Sequence, residues 1–546
     1  MNGFFLLTLA IALSMMLIPL AIRLAPRLGM VDMPDPRKVH SAPVPRVGGW
    51  GIAIGSLVPL MLVFDFNPLL QAFVAGGLIL FLFGLWDDAR QVSHWIKFVG
   101  QLFAAGLIVY HGDLYVTRVP FFDALTLSPA IGQPFTIFAI VGVINAINHS
   151  DGLDGLASGE SLLTLMAIAF LGYLAGNALV IGIALSTIGG TLGFLRYNTH
   201  PARVFMGDAG SQSLGFTLGV LLVYLTQVAY PAVSAALPLL LLGLPIADIL
   251  AVLYQRISGG MHWFKATRNH VHHRLLNLGF SHFQTVVIIY SIQALLAACS
   301  VLMRYQDDLV VGATYILVIT VLFATLTVAE RRGWKLSPLG ASTGAHIPEA
   351  LRRLSRNPTL RSVPLMTITI VVPMFMLLGA LSVQVIPSDF GAVASALAAL
   401  MLTQMVRGRA TASLAMRAAI YATAAFSAYL LVTYPGVAGP VTLHLADVMM
   451  VMLALALAVF IRFFSEKKFS TTPTDFLLAF GLAVLVLFNR SGSSVNATTQ
   501  FVTYAIVLFY GCEVITERAA GRWHVLNWAA LATLTIAGVR GLWLGA

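Results

Sequence analysis

The chain has 546 residues, of which 58% are hydrophobic and 10% charged, and its formal charge is +10. Its mean hydropathy of +0.88 excludes a soluble globular domain and identifies a polytopic membrane protein. The basic excess needs no nucleic acid as a partner, because the distribution of Lys and Arg among the loops accounts for it.

Stretches of roughly 17–25 apolar residues mark membrane-spanning helices, and about eighteen can be read along the chain. They lie near 3–25, 47–66, 69–86, 95–111, 134–147, 160–175, 178–195, 212–226, 232–254, 284–303, 308–329, 363–386, 390–406, 414–434, 444–462, 474–488, 501–516 and 524–543. The expected fold is therefore an all-α polytopic membrane protein with about 18 transmembrane helices. The first span lacks a basic n-region and an A-x-A-like site and runs into Arg23 and Arg27, so it reads as a retained helix with its N-terminus outside. With that start, all of the 32 Lys and Arg except Arg118, Arg304, Arg490 and Arg540 fall in inner loops, as the positive-inside rule requires. Cys299 and Cys512 both lie within spans and form no metal pattern; they read as small apolar residues.

Residues 1–330 carry every polar motif. Residues 331–362 read as a basic cytoplasmic linker with Gly and Pro, including a short amphipathic helix at 347–356 suited to anionic headgroups or to solvent. Residues 363–546 supply about seven further spans rich in Ala, Leu and Val. Asp447, Asp475 and Glu513 there read as packing or snorkelling residues. No internal repeat between the two parts is evident.

The polar motifs fall on inner loops in order. Asp87 and Asp88 close the third span. Adjacent residues on a helix point about 100° apart, so one carboxylate can meet a cation while the other faces substrate. Lys97, opening the next span, is placed for a phosphate. Residues 145–156, NAINHSDGLDGL, set Asp151 and Asp154 three apart among glycines, which let a backbone approach a ligand closely. Asn145 and Asn148 add groups suited to a base or a sugar amide. EF-hand calcium binding is excluded by spacing and by the missing Glu. Asn198 precedes PARVFMGDAGS, in which Asp208 sits between glycine-bearing turns as a hard ligand for Mg²⁺ or Mn²⁺. Residues 270–274, His-Val-His-His-Arg, have no cysteine nearby and do not match HExxH, so phosphate binding by His270, His272, His273 and Arg274 is favoured over zinc. Lys38, His40 and Arg46 belong to the same basic inventory. Two unit charges about 4 Å apart interact by roughly 4 kcal/mol at an effective dielectric near 20. Phosphates can meet beside so many carboxylates only when a divalent ion and basic side chains reverse that repulsion.

Five segments in order, DMPDPRKVHSAPVPRVGG, GLWDDAR with WIKFVGQ, NAINHSDGLDGLASG, YNTHPARVFMGDAGSQSLG and NHVHHRLLNLGFSHFQTV, resemble the polyprenyl-phosphate N-acetylhexosamine-1-phosphate transferases. That superfamily includes the enzymes that start O-antigen, enterobacterial common antigen and teichoic acid linkage, and the phospho-MurNAc-pentapeptide translocases. The resemblance covers about residues 1–330 and implies attack of a lipid-linked phosphate oxygen on the β-phosphorus of a UDP-sugar, with release of UMP. It implies that Asp208 ligates Mg²⁺ or Mn²⁺ and that Asp87 and Asp88 activate the lipid phosphate or assist the metal. Asn148, Asp151 and Asp154 match the nucleotide segment, and Lys97, His272 and His273 match groups holding the diphosphate. The candidate set is then Asp87, Asp88, His272 and His273 as catalytic, with Lys38, His40, Lys97, Asn148, Asp151, Asp154, Asn198, His270 and Arg274 binding substrate. His-Val-His-His-Arg resembles the GlcNAc-1-phosphate branch rather than the translocases, which carry a run of consecutive histidines.

The implied partners are a UDP-N-acetyl-hexosamine, polyprenyl phosphate and the bilayer of a bacterial inner membrane, with catalytic loops on the cytoplasmic face. A homodimer stays open, as do membrane partners of the polysaccharide pathway engaged through residues 363–546. The extension matches no family motif and is equally open to roles in lipid access or stabilisation of the core. The rival reading is a transporter or lipid-linked sugar flippase, which would place ionisable residues near the midplane of repeated, broken helices.

Overall fold

The computed structural model describes residues 2–34, 42–122, 126–261, 269–336, 358–406, 414–434, 439–460, 493–518 and 523–543. They form two compact units, one within residues 1–340 and one within 341–546. The first unit contains α1 (Asn2–Leu28), α2 (Gly48–Val63), α3 (Pro68–Arg90), α4 (His94–Tyr110), α5 (Pro129–Ser150), α6 (Leu156–Leu174), α7 (Ala178–Asn198) and α8 (Gly207–Tyr224). It continues with α9 (Leu237–Leu241), α10 (Gly243–Ser258), α11 (Val271–Asn277), α12 (His282–Leu302) and α13 (Asp308–Arg331).

Among the described residues of both units, 12 helices are long and apolar enough to cross a membrane. The chain is an all-α polytopic membrane protein. Four further apolar helices are shorter: Gly48–Val63, His94–Tyr110, Ala419–Thr433 and Thr503–Thr516. The stretch expected as one span over 232–254 is divided between α9 and α10, with Leu242 leaving helical geometry between them. The expected span 474–488 and the amphipathic helix at 347–356 lie outside the described residues. One feature that the apolar pattern did not announce is a short antiparallel ladder, β1 (Val31–Asp32) with β2 (Val44–Pro45), which pairs Val31 with Pro45 and Asp32 with Val44.

Local chemistry sets the helix ends. Asn67 accepts a hydrogen bond from Leu70 N (2.8 Å) ahead of Pro68 in α3, and Asn177 accepts one from Val180 N (3.0 Å) to start α7. Such side chains satisfy amides that have no partner within the helix. Ser281 and Gln284 form a reciprocal capping box on α12. Gln91, with φ of 48°, ends α3 in the left-handed region.

Lipid offers no hydrophobic drive between helices, so small residues decide how closely they approach. A Cβ at Gly84 of α3 would lie 2.3 Å from Ala209 Cα of α8. The last turn of α3 therefore rests on the first turn of α8. Helix α8 is the buried axis of the first unit, with α2, α3 and α5 packed around it, and a π-helical turn, Leu225–Ala229, extends it.

The second unit contains α14 (Pro358–Leu381), α15 (Ser388–Val406), α16 (Leu414–Thr433), α17 (Gly439–Val459), α18 (Ser493–Arg518) and α19 (Trp523–Trp543). There α19 packs on α14 and α15, and α14 also packs on α16 and α17.

Candidate active site

Three carboxylates converge where α3 meets α8. Asp87 and Asp88 occupy the last turn of α3, Asp208 the first turn of α8, and an oxygen of each lies within 4.8 Å of the other two. The two neighbours on α3 do different things. Asp87 Oδ2 is 2.8 Å from Lys97 Nζ, which is also 2.7 Å from Asp208 Oδ2. Asp88 is buried and accepts hydrogen bonds from Asp208 N (2.8 Å) and Ala209 N (3.2 Å). It caps α8 from outside and so fixes the residue that carries the third carboxylate. Gly207 permits this contact. Its φ is +70°, and a Cβ there would meet Asp88 Oδ2 at 2.6 Å. Gln212 Nε2 donates to Asp208 Oδ2 (3.2 Å) one helical turn on.

Three carboxylates against one ammonium leave an excess of negative charge, and the donors are all hard oxygen atoms. That donor set fits a divalent cation of the Mg²⁺ or Mn²⁺ kind. Asp87 and Asp208 would be the ligands, since the oxygens of Asp88 are engaged by backbone amides.

A cavity of about 570 Å³ opens beside this cluster, lined by Asp88, Asn148, Asp151, Asp154, Asp208 and His273 among others. Asn148, on the last turn of α5, donates from Nδ2 to Ser211 Oγ (2.8 Å). Asn145 on the same helix donates to Gln101 Oε1 (2.8 Å). Asn198, on the last turn of α7, accepts from Gly155 N and donates to Val204 O, each at 2.8 Å. It thereby ties the Asp151–Gly155 loop to the segment that leads into α8. Asp154 Oδ2 accepts from Ala202 N (3.1 Å) and pairs with His200 Nδ1 (2.7 Å). The His200 ring stacks on His282 at 4.1 Å between centroids. Asp154, His200 and His282 form a second group with ligand atoms within 4.8 Å of one another.

Burial, and then the charges of Asp208 and Asp154, push the Asp151 carboxyl up from 3.8 to about 7 against the opposing pull of Arg46. Arg46 is itself paired with Asp32 across the β1–β2 ladder.

The basic segment before and within α11 divides by role. His273 lines the cavity. His272 is buried against the Gly152 backbone, where a Cβ on Gly152 would meet Nε2 at 2.3 Å. Burial, then the neighbouring His273, lowers its imidazole to about 3. Arg274 points elsewhere. Its guanidinium forms a bidentate pair with Glu330 of α13 (2.8 and 2.7 Å) and donates to Thr327 Oγ1 (3.0 Å). His270, His272 and Arg274 are not among the residues lining the cavity. Lys38 and His40 lie outside the described residues.

The apolar pattern concealed Asp248 on α10. Its buried carboxylate holds His270 Nδ1 (2.7 Å) and Val271 N (2.8 Å). Its signal was present, a lone aspartate within an apolar stretch. His200, His282 and Gln212 were also missed, because single polar residues in loops or on helix faces have no recognisable spacing.

The profile of Glycosyl transferase family 4 matches residues 70–226. A Bacillus subtilis (strain 168) protein named "Probable undecaprenyl-phosphate N-acetylglucosaminyl 1-phosphate transferase" is 34% identical over 288 residues, which cover 52% of this chain and 80% of that protein. The chain belongs to glycosyl transferase family 4. A Mycobacterium tuberculosis (strain ATCC 25618 / H37Rv) relative, named decaprenyl-phosphate N-acetylglucosaminephosphotransferase, is 35% identical over 346 residues, 57% of this chain and 85% of that protein. The Escherichia coli (strain K12) undecaprenyl-phosphate alpha-N-acetylglucosaminyl 1-phosphate transferase is 29% identical over 342 residues, 61% and 91% of the two chains. The matched family 4 segment contains the carboxylate cluster, Lys97 and the Asp151–Gly155 loop. Asp248 and residues 270–274 follow it.

Proposed function

We propose that this family 4 protein transfers N-acetylglucosamine 1-phosphate from a UDP-sugar to a polyprenyl phosphate and releases UMP. The observation that carries the reading is one cavity lined by Asp88 and Asp208 of the carboxylate cluster, by the glycine-bearing Asp151–Asp154 stretch and by His273, with Lys97 paired to Asp208 behind its wall. A phosphate oxygen of the lipid forms a bond to the β-phosphorus of the donor, and the bond from that phosphorus to the UMP oxygen breaks. The leaving phosphate of UMP takes the electron pair. Mg²⁺ or Mn²⁺, bound by Asp87 and Asp208, would offset the charge of the phosphates during this exchange.

The chain's own residues do the remainder. Asp88 holds the start of α8, so that Asp208 keeps its place. Lys97 offers an ammonium between Asp87 and the cavity-lining Asp208. Asp151, titrating near neutrality, is suited to take the proton of a monoprotonated lipid phosphate. Asn148, Asp154 and Asn198 shape the donor side of the cavity, and His273 faces the diphosphate.

Topology belongs to the same proposal. The reading places the N-terminus outside, about eighteen helices across a bacterial inner membrane and the cavity on the cytoplasmic face, where nucleotide sugars are made. The lipid-linked product would start a cell-envelope polysaccharide. The distribution of Lys and Arg supports this orientation. A transporter is not favoured, because the carboxylates gather at the ends of α3 and α8 rather than along a path through the helices.

The test is a membrane or detergent preparation given undecaprenyl phosphate and a panel of UDP-sugars, with UMP release followed with and without EDTA. UMP release with UDP-N-acetylglucosamine that EDTA abolishes is the expected result. No release with any UDP-N-acetyl-hexosamine would overturn the reading, and release that is indifferent to EDTA would overturn the metal assignment.

A further inference from the structure

Asp248 lies on α10, outside every motif and outside the cavity, yet it is buried and both of its carboxylate oxygens are committed to one short segment. Oδ2 holds the His270 imidazole at Nδ1 (2.7 Å), and Oδ1 accepts from Val271 N (2.8 Å). Val271 opens α11, a helix of 7 residues whose own cap, His270, makes no side-chain capping bond. So short a helix is not stable by itself. Its start has to be set from outside, and the negative charge of Asp248 sits where a helix favours one.

The same carboxylate fixes the orientation of the ring, because Nδ1 is the nitrogen turned to Asp248. The ring lies near-parallel to those of His149 and His272, at 5.9 Å and 5.6 Å between centroids, and His273 follows at 4.2 Å from His272. Of these four histidines, His273 lines the cavity. A chain of contacts thus runs from Asp248, through His270 and the first amide of α11, to the side chain that meets substrate.

We infer that Asp248 is a positioning residue for transfer. By binding His270 and the Val271 amide it fixes the start of α11 and so the reach of His273 into the cavity. The inference rests on the transferase reading above and adds to it a residue that no motif contains. Without Asp248, the His270 N–H and the Val271 N–H lose their acceptor in a buried setting, and α11 is free to shift. Misplacement of a reacting group by about 1 Å can cost about 100-fold in rate.

The experiment uses the full chain in detergent with UDP-N-acetylglucosamine and undecaprenyl phosphate. It compares wild type, Asp248→Ala, Asp248→Asn, His273→Ala and the Asp248→Ala/His273→Ala pair. Turnover is scaled to folded protein by thermal midpoint and gel filtration. Asp248→Ala is expected to lower kcat about 10–100-fold, up to the scale of a reacting group displaced by about 1 Å. KM for the nucleotide sugar should stay within about threefold, since the loss falls on the step and not on uniform binding. Asp248→Asn keeps the acceptor for Val271 N and should recover part of the rate. The paired variant should be no slower than His273→Ala alone, because both act through one group.

Unchanged turnover per folded molecule in Asp248→Ala overturns the inference, and so do losses that multiply in the paired variant. Should Asp248→Ala fail to fold, Asp248→Asn decides: wild-type turnover with a lowered thermal midpoint assigns Asp248 to stability alone. Absence of turnover in wild type refutes the parent reading, and the inference falls with it.

Discussion

Both units place carboxylates in apolar helices, and the cluster at the meeting of α3 and α8 is treated differently from the acids described in the second unit. In the second unit, Asp447 accepts from Tyr504 OH (2.5 Å) and Gln500 Nε2 (3.2 Å), and Glu513 accepts from Tyr421 OH. Each acid is met by neutral donors near its own position. In the first unit Asp87, Asp88 and Asp208 are brought together with a single lysine among them, beside a cavity of about 570 Å³. An isolated acid served by a phenol is a packing solution. Three acids held against their mutual repulsion cost free energy, and this arrangement is expected where a ligand offsets it.

The largest expected effect separates the two cases directly. Asp208→Ala should lower UMP release by about 1,000-fold, the scale of losing a main electrostatic contact in a transfer site, while leaving membrane insertion intact. Retained turnover would remove Asp208 from the site and with it the contrast drawn above. Gly207→Ala comes next. The new Cβ would meet Asp88 Oδ2 at 2.6 Å in a backbone with φ of +70°, so the cap on α8 should be lost along with the setting of Asp208. A fall of about 10–100-fold in kcat, with a lowered thermal midpoint, is the expected outcome. Near-normal activity would show that the Asp88 cap is dispensable.

Asp151 adds a pH signature that the second unit should lack. Its carboxyl moves from 3.8 to about 7 in the folded chain, so the folded state binds this proton more tightly than the unfolded state. Its contribution to stability is full below about 4 and is lost as pH rises through 7. Asp151→Asn should therefore gain on wild type in thermal midpoint above pH 7 and lose that advantage toward pH 4. If Asp151 must be ionised to take a proton, turnover should also fall below pH 7 in wild type. A wild-type midpoint and rate with no inflection near 7 would count against both statements.

Much of the first unit was legible in the sequence, for reasons that differ between residues. Asp87, Asp88, Asp208, Asp151 and Asp154 stand out because a carboxylate in an apolar chain is costly, and the cavity does gather four of these five along its walls. The division of labour within the Asp87–Asp88 pair was not legible. Which neighbour caps α8 depends on how α3 crosses α8 at Gly84, a tertiary fact. Arg274 shows the same limit. A basic segment suggested phosphate binding, whereas the guanidinium is satisfied by Glu330, 56 positions along the chain. Asp248 was passed over because it sits inside a span with no polar neighbour in sequence. The break between α9 and α10 was hidden for a related reason: LPLLLLGLPIADIL is apolar apart from Asp248, and hydropathy alone does not register where one apolar helix stops and the next begins.

Arg274 gives a smaller and more discriminating effect. Glu330→Gln keeps the shape of the partner and weakens the pair without touching the cavity. Turnover should stay within about threefold of wild type, with a thermal midpoint lowered by a few degrees. A loss of turnover comparable to that of His273→Ala, without a stability change, would restore Arg274 to the phosphate-binding set.

The smallest effect is expected in the second unit, and it bears most directly on what separates a packing acid from a site. Asp447→Asn retains Oδ1, the atom that accepts from Tyr504 and Gln500, and replaces the carboxyl by an amide of the same shape. Both donors keep their acceptor, so turnover should be unchanged within about twofold and the thermal midpoint should move by no more than a few degrees. The same exchange at Asp208 removes a charge that the first unit has assembled against repulsion and that no phenol answers. The two Asp→Asn substitutions thus isolate charge from shape. If transfer by the full chain falls as far with Asn at 447 as with Asn at 208, the second unit holds an acid that the reaction needs, and isolation of a carboxylate ceases to be a criterion for its idleness.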